Sequence, residues 1–384
     1  MTIEGNSSPI SNRRLRLGMV GGGQGSFIGA VHRIAARLDD RFELVAGALS
    51  SDAARAKSSA VELHIAEDRA YTDFREMAKM EAAREDGIDV VSIVTPNNMH
   101  FEPAKAFLEA GINVICDKPM TLNSDEAREL ISIVEQSGKK FALTHNYTGY
   151  PMARQARQMI AEGALGKIRV VQVEYPQDWL TTKQEGGDNK QANWRTDPKQ
   201  SGAGGCIGDI GTHAYNLANF VTGLKPTEIC AELTAFVEGR LLDDNAQIMM
   251  RYENGARGML WSSQVAPGNE NGLRLRVYGE KAGLEWSQED PNYLLFSPFG
   301  EQPRHITRGG AGNLPIAEAG TRIPPGHPEG YLEGFANIYS DIADMIISDA
   351  DTLVPNVHDG LDGLKFIEAA VSSSQQGALW TPID

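Results

Sequence analysis

Paired cysteines, long apolar runs and an excess of positive charge are all missing from this 384-residue chain. Its three cysteines, Cys116, Cys206 and Cys230, are odd in number and widely spaced, with no CxxC pair. That argues against a disulfide framework or a zinc site and fits a reducing cytoplasm. No window approaches the roughly 18 apolar residues that a membrane span requires. Lys and Arg number 36 against 51 Asp and Glu, a formal net charge of -15, which disfavours contact with nucleic-acid phosphates or anionic lipid. No internal repeat or low-complexity tract is present. Residues 1–12 are polar and read as a disordered lead. Arg13-Arg14 is followed not by an export segment but by Leu15 to Val20 running into glycines, as a strand would.

What is there is enough chain for two domains, each able to bury its own core. Residues 13–145 alternate short β-branched runs (Leu15 to Val20, Phe42 to Ala48, Val90 to Val94, Asn113 to Cys116, Lys140 to Thr144) with helix-like segments. Those segments are Gly29 to Leu38, Asp52 to Leu63, Thr72 to Arg84, Phe101 to Ala110 and Ser124 to Ser137. The alternation predicts an α/β fold with a doubly wound parallel sheet. Residues 146–384 change pattern. A helix over Met152 to Glu162 precedes longer alternating runs: Ile168 to Tyr175, Thr227 to Val237, Gln247 to Tyr252, Arg257 to Gln264, Leu273 to Gly279 and Gly283 to Ser287. They predict a large antiparallel sheet. Asn254-Gly255 signals a type I′ hairpin, whose two central residues both need positive φ. Pro298 to Pro328 reads as a long excursion, and Gly330 to Ile347 as a helix returning to pack on the core.

Gly21-Gly22-Gly23 closes the first strand and precedes a helix. A turn without side chains lets the backbone approach a pyrophosphate, whose charge the helix N-terminus favours. The next helix-facing glycine is Gly29, so the turn is longer than the usual fingerprint; the plain alternative is a glycine turn and nothing more. At the end of the second strand stands Ser50, with Arg55 a turn on, where a carboxylate would select NAD over NADP. Asp52 is still within reach of a ribose, which leaves NAD and NADP both open. Thr95, Pro96, Asn97 and His100 close the third strand at the carboxyl edge, suited to a nicotinamide ribose or else a simple helix cap. Asp117-Lys118-Pro119 ends the fourth strand and puts an ammonium at the same edge.

A second cluster runs through Trp194-Arg195 into the glycine-rich stretch before Asp209 and His213. With a helix beginning near Gly208, Asp209 and His213 lie four apart on one face. An imidazole oriented by a carboxylate can bind a substrate hydroxyl, with a lysine to take or relay the proton. Such pairs are also common as structural features.

In order and approximate spacing, the glycine turn with Gly29 and His32, the Thr95-Pro96-Asn97 to His100 loop, Asp117-Lys118-Pro119, Trp194-Arg195 and Asp209 to His213 resemble the Gfo/Idh/MocA oxidoreductases, over roughly residues 13–384. The resemblance implies a Rossmann domain followed by an α/β domain whose open, mostly antiparallel sheet makes a homodimer or homotetramer. It also implies NAD(P)-dependent chemistry on a secondary hydroxyl of a sugar, glycoside or inositol-like cyclitol, with hydride passing to or from nicotinamide C4. On this resemblance Lys118, Asp209 and His213 are the catalytic candidates. Gly21, Gly23, Gly29, Ser50, Arg55, Thr95, Pro96, Asn97, His100, Lys118, Asn146, Trp194 and Arg195 are expected at the coenzyme. Trp179 and His327, beside aromatic and polar neighbours, join Lys118, Asp209 and His213 as substrate contacts; no metal is implied. Asp117 stands where the family usually has Glu. The rival readings are a glycosidase that oxidises its sugar transiently on bound NAD, and a coenzyme-binding regulator without catalysis.

Overall fold

The computed structural model describes residues 13–384; the lead expected over residues 1–12 lies outside them. Alternation dominates the first part: β1 (Leu15–Gly21), α1 (Phe27–Leu38), β2 (Phe42–Ala48), α2 (Ala53–Glu62), α3 (Phe74–Ala83), β3 (Val90–Val94), α4 (Phe101–Glu109), β4 (Asn113–Cys116), α5 (Ser124–Ser137) and β5 (Phe141–Leu143). Then come α6 (Pro151–Ala161), β6 (Ile168–Pro176), α7 (Lys190–Arg195), α8 (Pro198–Ser201), α9 (Thr212–Thr222), β7 (Pro226–Thr234), β8 (Asn245–Tyr252) and β9 (Arg257–Ser263). The chain closes with β10 (Arg274–Gly279), β11 (Ala282–Ser287), β12 (Tyr293–Pro298), β13 (Arg304–Thr307), α10 (Pro315–Glu318), α11 (Tyr331–Ser348), α12 (Val357–Gln375) and β14 (Thr381–Pro382). None of the described helices is long and apolar enough to cross a membrane.

The chain forms two compact units. The first holds residues up to Thr121, Asp125–Thr144 and Phe335–Gly360; the second holds Leu122–Ser124, His145–Gly334 and Leu361–Asp384. The expected boundary after residue 145 falls within one residue of the break at Thr144. The C-terminal part differs, because residues 335–360 were expected in the second domain and belong to the first. Apolar and polar contacts explain the exchange. On α11 the Tyr339 ring stands edge-on to Phe42 at 5.2 Å, Leu143 N–H donates to the carbonyl of Pro355 (2.8 Å), and a Cβ at Gly360 would lie 2.6 Å from Met120 Sδ.

In the first unit all five strands are parallel, in the order β2-β1-β3-β4-β5. Strand order reverses between β1 and β3, which places the ligand-binding switch point at their carboxyl ends. β3 is buried at every position, as a strand covered on both faces must be. Ser26, Asp52 and Asp73 cap α1, α2 and α3 by accepting N–H groups of the first turn. Beneath α1, the fully buried His32 meets Tyr339 Oη at 2.9 Å and Ser92 Oγ at 3.2 Å through Nδ1. This polar knot ties α1, β3 and α11 together.

The second unit has a nine-stranded sheet, β13-β12-β11-β10-β6-β9-β8-β7-β14, antiparallel except for the β6–β9 pair. Alternation along β8 buries Ala246, Ile248, Met250 and Tyr252 against the helical layer. The other face leaves Met249 and Met259, paired across β8 and β9, 50% and 54% exposed. The β8–β9 hairpin forms at Asn254-Gly255, but not as type I′: among the described residues Gly255 has positive φ (90°) and Asn254 does not. Gly255 N–H bonds the carbonyl of Tyr252 (3.0 Å), so one positive φ suffices. Absent from the sequence expectation are β12, β13, β14, α12 and the short helices α7, α8 and α10. β13 falls inside the supposed excursion because its residues, Arg304 to Thr307, are partly or fully exposed and lack an alternating apolar pattern.

Burial holds the His32 imidazole neutral, lowering its pKa to about 4, with the charge of Asp117 opposing and Arg33 adding. The folded pKa lies below the unfolded one, so this stability is complete above about pH 6.5 and is lost as pH falls toward 4, at most about 3 kcal/mol. We expect the stability advantage of wild type over His32→Gln to shrink by that order between about pH 7 and about pH 4.5 in urea titrations. Parallel pH curves for the two proteins would contradict a buried neutral ring.

Candidate active site

In the first unit the glycine turn is shaped by contacts that no side chain would permit. Gly21 and Gly22 have φ of 77° and 74°. A Cβ on Gly29 would lie 2.4 Å from Gly22 Cα, so α1 seats directly on the turn. Ser26 caps that helix, its Oγ accepting from Gly29 N–H (3.2 Å), and Arg33 Nη1 bonds the Gly22 carbonyl (2.5 Å). Gly23 N–H donates to Leu49 O (3.2 Å), and a Cβ there would crowd Ser59. At Gly25 the space a Cβ would fill is open. A tight positive-φ turn, a free cradle and a helix N-terminus fit the pyrophosphate of a dinucleotide.

Next to that turn, Gly21 and Val94 are in register across β1 and β3, and a Cβ on Gly21 would meet Thr95 Cγ2 at 2.8 Å. Thr95 therefore borders the glycine turn, with Pro96 and Asn97 following it in the same loop. His100 takes a different part from the coenzyme contact expected of it. The ring is 1% exposed, with Nδ1 2.6 Å from Pro119 O and Nε2 2.9 Å from Thr95 O. Both ring nitrogens face main-chain carbonyls, and burial lowers the ring's pKa, so the neutral imidazole donates its single N–H to one carbonyl and packs against the other, filling the space between the Thr95 loop and the loop of Lys118. Asp117 fixes that second loop: its Oδ1 accepts from Lys118 N–H (2.8 Å) and Thr144 Oγ1 (3.1 Å), while its N–H bonds Ile93 O (3.0 Å). Ser50 follows β2, and its Oγ accepts from Asp52 N–H (3.1 Å). Asp52 spends Oδ1 on Arg55 N–H (2.8 Å), capping α2, and the Arg55 side chain lies at the surface.

The second unit gathers His213, Asp209, Trp194, Arg195, Trp179 and Asn146. The helix bearing His213 does not begin as a plain α-helix at Gly208. Ile207–Gly211 forms a wide π-turn that runs into α9, a departure frequent at functional sites. The turn is closely packed at Gly211, where a Cβ would lie 2.6 Å from Ile207 Cδ1 and 3.0 Å from Ser262 Oγ. Asp209 Oδ2 accepts from Arg195 Nε (3.1 Å) and Gln264 Nε2 (2.9 Å). Arg195, expected at the coenzyme, thus has its guanidinium on Asp209 and Gln191 and stacked 4.1 Å over Trp194. Asn146 is buried in the 3-10 turn that follows β5.

Around His213 stand three aromatic rings: Tyr147 at 5.0 Å, His145 at 5.3 Å and Tyr175 at 6.4 Å. Tyr147 and Tyr175 share a hydroxyl hydrogen bond, and burial raises the pKa of both phenols. Tyr175 Oη donates to Asn271 Oδ1 (2.8 Å), Gln177 Nε2 to the same oxygen (2.7 Å), and Trp179 Nε1 to Gln177 Oε1 (3.0 Å). Tyr147, Gln264 and Asn271 are absent from the sequence expectation. The loop after β9, with Gln264 at its start and Asn269-Glu270-Asn271 at its end, is the signal that could have marked two of them. His327 has an exposed ring; its carbonyl is what the fold uses, accepting from the buried Arg308 that also pairs with Glu329 (3.0 Å). Among the described residues no His, Cys, Asp or Glu group could hold a metal.

A parallel sheet with a glycine turn at its switch point, joined to an α/β unit carrying a histidine in a hydroxyl and carboxamide setting, defines a dinucleotide-dependent oxidoreductase. Residues 15–145 match the family model described as oxidoreductase family, NAD-binding Rossmann fold, and residues 153–285 match the GFO/IDH/MocA C-terminal domain. The chain belongs to the Gfo/Idh/MocA family. It is 38% identical to the uncharacterized oxidoreductase YfiI of Bacillus subtilis, over 98% of each chain. An oxidoreductase structure from Sinorhizobium meliloti shares 54% identity with a TM-score of 0.87, covering 96% of this chain and 99% of that one. An inositol dehydrogenase homolog from Azotobacter vinelandii, complexed with NADH and myo-inositol, shares 35% identity with a TM-score of 0.90, covering 98% and 99%.

Gly29→Ala tests the close approach at the glycine turn. Overpacking of 1–3 kcal/mol should weaken coenzyme binding by about tenfold or more, measured by calorimetric titration with NAD. Binding within a factor of about two of wild type would show that the turn tolerates the methyl group.

Proposed function

We propose that this enzyme is a dehydrogenase or reductase for a secondary hydroxyl of a cyclitol, sugar or glycoside, using NAD or NADP in the cytoplasm. One observation carries the reading: His213 packs against the rings of Tyr147 and Tyr175, whose hydroxyls join the carboxamides of Asn271 and Gln177 in a single hydrogen-bonded array. Such groups both donate and accept, as a neutral polyhydroxylated ring requires. The relative complexed with NADH and myo-inositol is consistent with that class.

A bound nicotinamide supplies the hydride acceptor or donor. His213 exchanges the proton of the reacting hydroxyl, and Asp209, held by Arg195 and Gln264, lends negative charge to the element that carries the imidazole. Lys118, on the loop fixed by Asp117 and His100, anchors the developing alkoxide through its ammonium. Trp179 offers an apolar ring to one face of the sugar. Ser50 presents a hydroxyl where a carboxylate would repel a 2′-phosphate, so both coenzymes belong in the assay. The open sheet face with Met249 and Met259 is the natural surface for a homodimer or homotetramer.

The test follows reduced-coenzyme absorbance over inositols, hexoses and glycosides with NAD and NADP in parallel. Turnover with at least one polyol is expected, and a flat response across the panel would remove the dehydrogenase reading. Lys118→Ala should lower kcat by roughly 10²-fold or more while coenzyme affinity changes only a few-fold. A variant that binds coenzyme and keeps most of its turnover would rule out the role given to Lys118.

A further inference from the structure

The element bearing Asp209 and His213 opens with three consecutive N–H groups, and one distant residue takes all three. Asp243 Oδ1 accepts from Gly205 N–H (2.7 Å), its main-chain carbonyl from Cys206 N–H (2.8 Å), and Oδ2 from Ile207 N–H (2.8 Å). The π-turn has no side-chain cap of its own at Cys206. Gly205 is obligatory here, because a Cβ would lie 2.2 Å from the Asp243 carbonyl oxygen. The neighbouring Asp244 extends the hold to the other side of Asp209. Its carbonyl accepts from Gln264 N–H (2.8 Å), and Gln264 Nε2 in turn bonds Asp209. Asp244 is itself locked by the buried Arg240 (3.0 Å), whose guanidinium also bonds Leu180 O and Glu185.

We propose that Asp243 is a positioning residue for the Asp209 and His213 pair: it sets the depth and rotation of the π-turn and so aims both side chains. The role rests on the dehydrogenase reading above. A helix start left with three unmet N–H groups in a buried setting would lose several hydrogen bonds or move to find water. Here they converge on a single carboxylate and carbonyl that local sequence does not supply. Burial works against that carboxylate, raising its pKa to about 6 against the N–H groups of Ile207, Gly205 and its own backbone, and Asp244 adds to the rise. The charged form is thus kept at a cost that a purely space-filling residue would avoid. Asparagine has the same shape but can accept only through one oxygen, and its amide would face the other N–H donor-to-donor.

Asp243→Asn and Gly205→Ala, made in the full-length enzyme, test this with three readouts: kcat and KM for the best polyol, NAD affinity, and NMR titration of the His213 ring, assigned by difference from a His213→Gln spectrum. Expected for Asp243→Asn is a kcat/KM lower by roughly 10- to 100-fold, as for an ångström-scale misplacement. The loss should fall mainly on kcat, with NAD affinity within a factor of about two and the His213 titration displaced. A folded Asp243→Asn enzyme with wild-type kcat/KM and an unmoved His213 titration would overturn the proposal. So would a loss that only tracks thermal unfolding while kcat per folded molecule is unchanged. Gly205→Ala pushes the same turn away without altering charge and should move the His213 titration likewise; if Asp243→Asn does not fold, an unmoved titration in Gly205→Ala overturns the proposal. A wild-type enzyme inert on every polyol would instead defeat the dehydrogenase reading, and the His213 titration of the variants would still decide whether Asp243 aims the ring.

Discussion

The backbone-to-backbone approach of Gly29 to Gly22 is the constraint on which the first unit depends. With no room for a Cβ at the contact, α1 can only seat where its N-terminus faces the turn, and that seating fixes the rest. It puts His32 beneath the helix at the point where Ser92 and Tyr339 can satisfy it. It also brings the turn beside Thr95, so the ends of β1 and β3 form one edge. The loops of Thr95 and Lys118 are then braced by a buried ring instead of by the ligand, through the two carbonyl contacts of His100. Loops placed by the protein's own contacts need less ordering when a ligand binds, which lowers the cost that binding must offset.

The second unit solves a different problem. Its sheet offers an apolar face to one helical layer, yet the chemistry sits where helices begin and strands end, where backbone groups need partners. Charged residues meet that need: Asp243 for the start of the His213 element, Arg240 for Asp244, Arg308 with Glu329 for the long excursion. Each is a buried or half-buried charge held by several hydrogen bonds, strongly disfavoured if one partner is removed. Stability and site geometry in this unit therefore share the same side chains.

Local signals carried much of this into the sequence. The parallel sheet follows from β-branched runs separated by amphipathic helices, and β2, β3, β4 and α5 begin and end at the expected residues. Gly21, Thr95 and Lys118 were legible because each stands at or just after a strand end, and Gly29 because it opens the helix that follows the glycine turn. What was not legible depends on contacts distant in the chain. Nothing around Arg195 says that its partner is Asp209, and nothing around Gly205 points to Asp243. The hairpin at Asn254-Gly255 was visible, but its turn type rests on one φ angle. β13 and β14 are short edge strands whose residues lack the alternation that a buried face would impose.

The exchange of residues 335–360 into the first unit has a consequence in time. On the ribosome the five strands of the parallel sheet are all made by Leu143, yet Tyr339, which satisfies His32 and Ser92 and covers Phe42, comes almost two hundred residues later. At 5–20 residues per second the wait is roughly 10 to 40 s. For that interval Phe42 lacks the ring that covers it and His32 has Ser92 but not Tyr339 as a partner, while residues 145–334 of the second unit are synthesised. The order of synthesis thus leaves the first unit open until residues 335–360 emerge, after most of the second unit has been made. A truncation after residue 145 would leave its product permanently in that unfinished state.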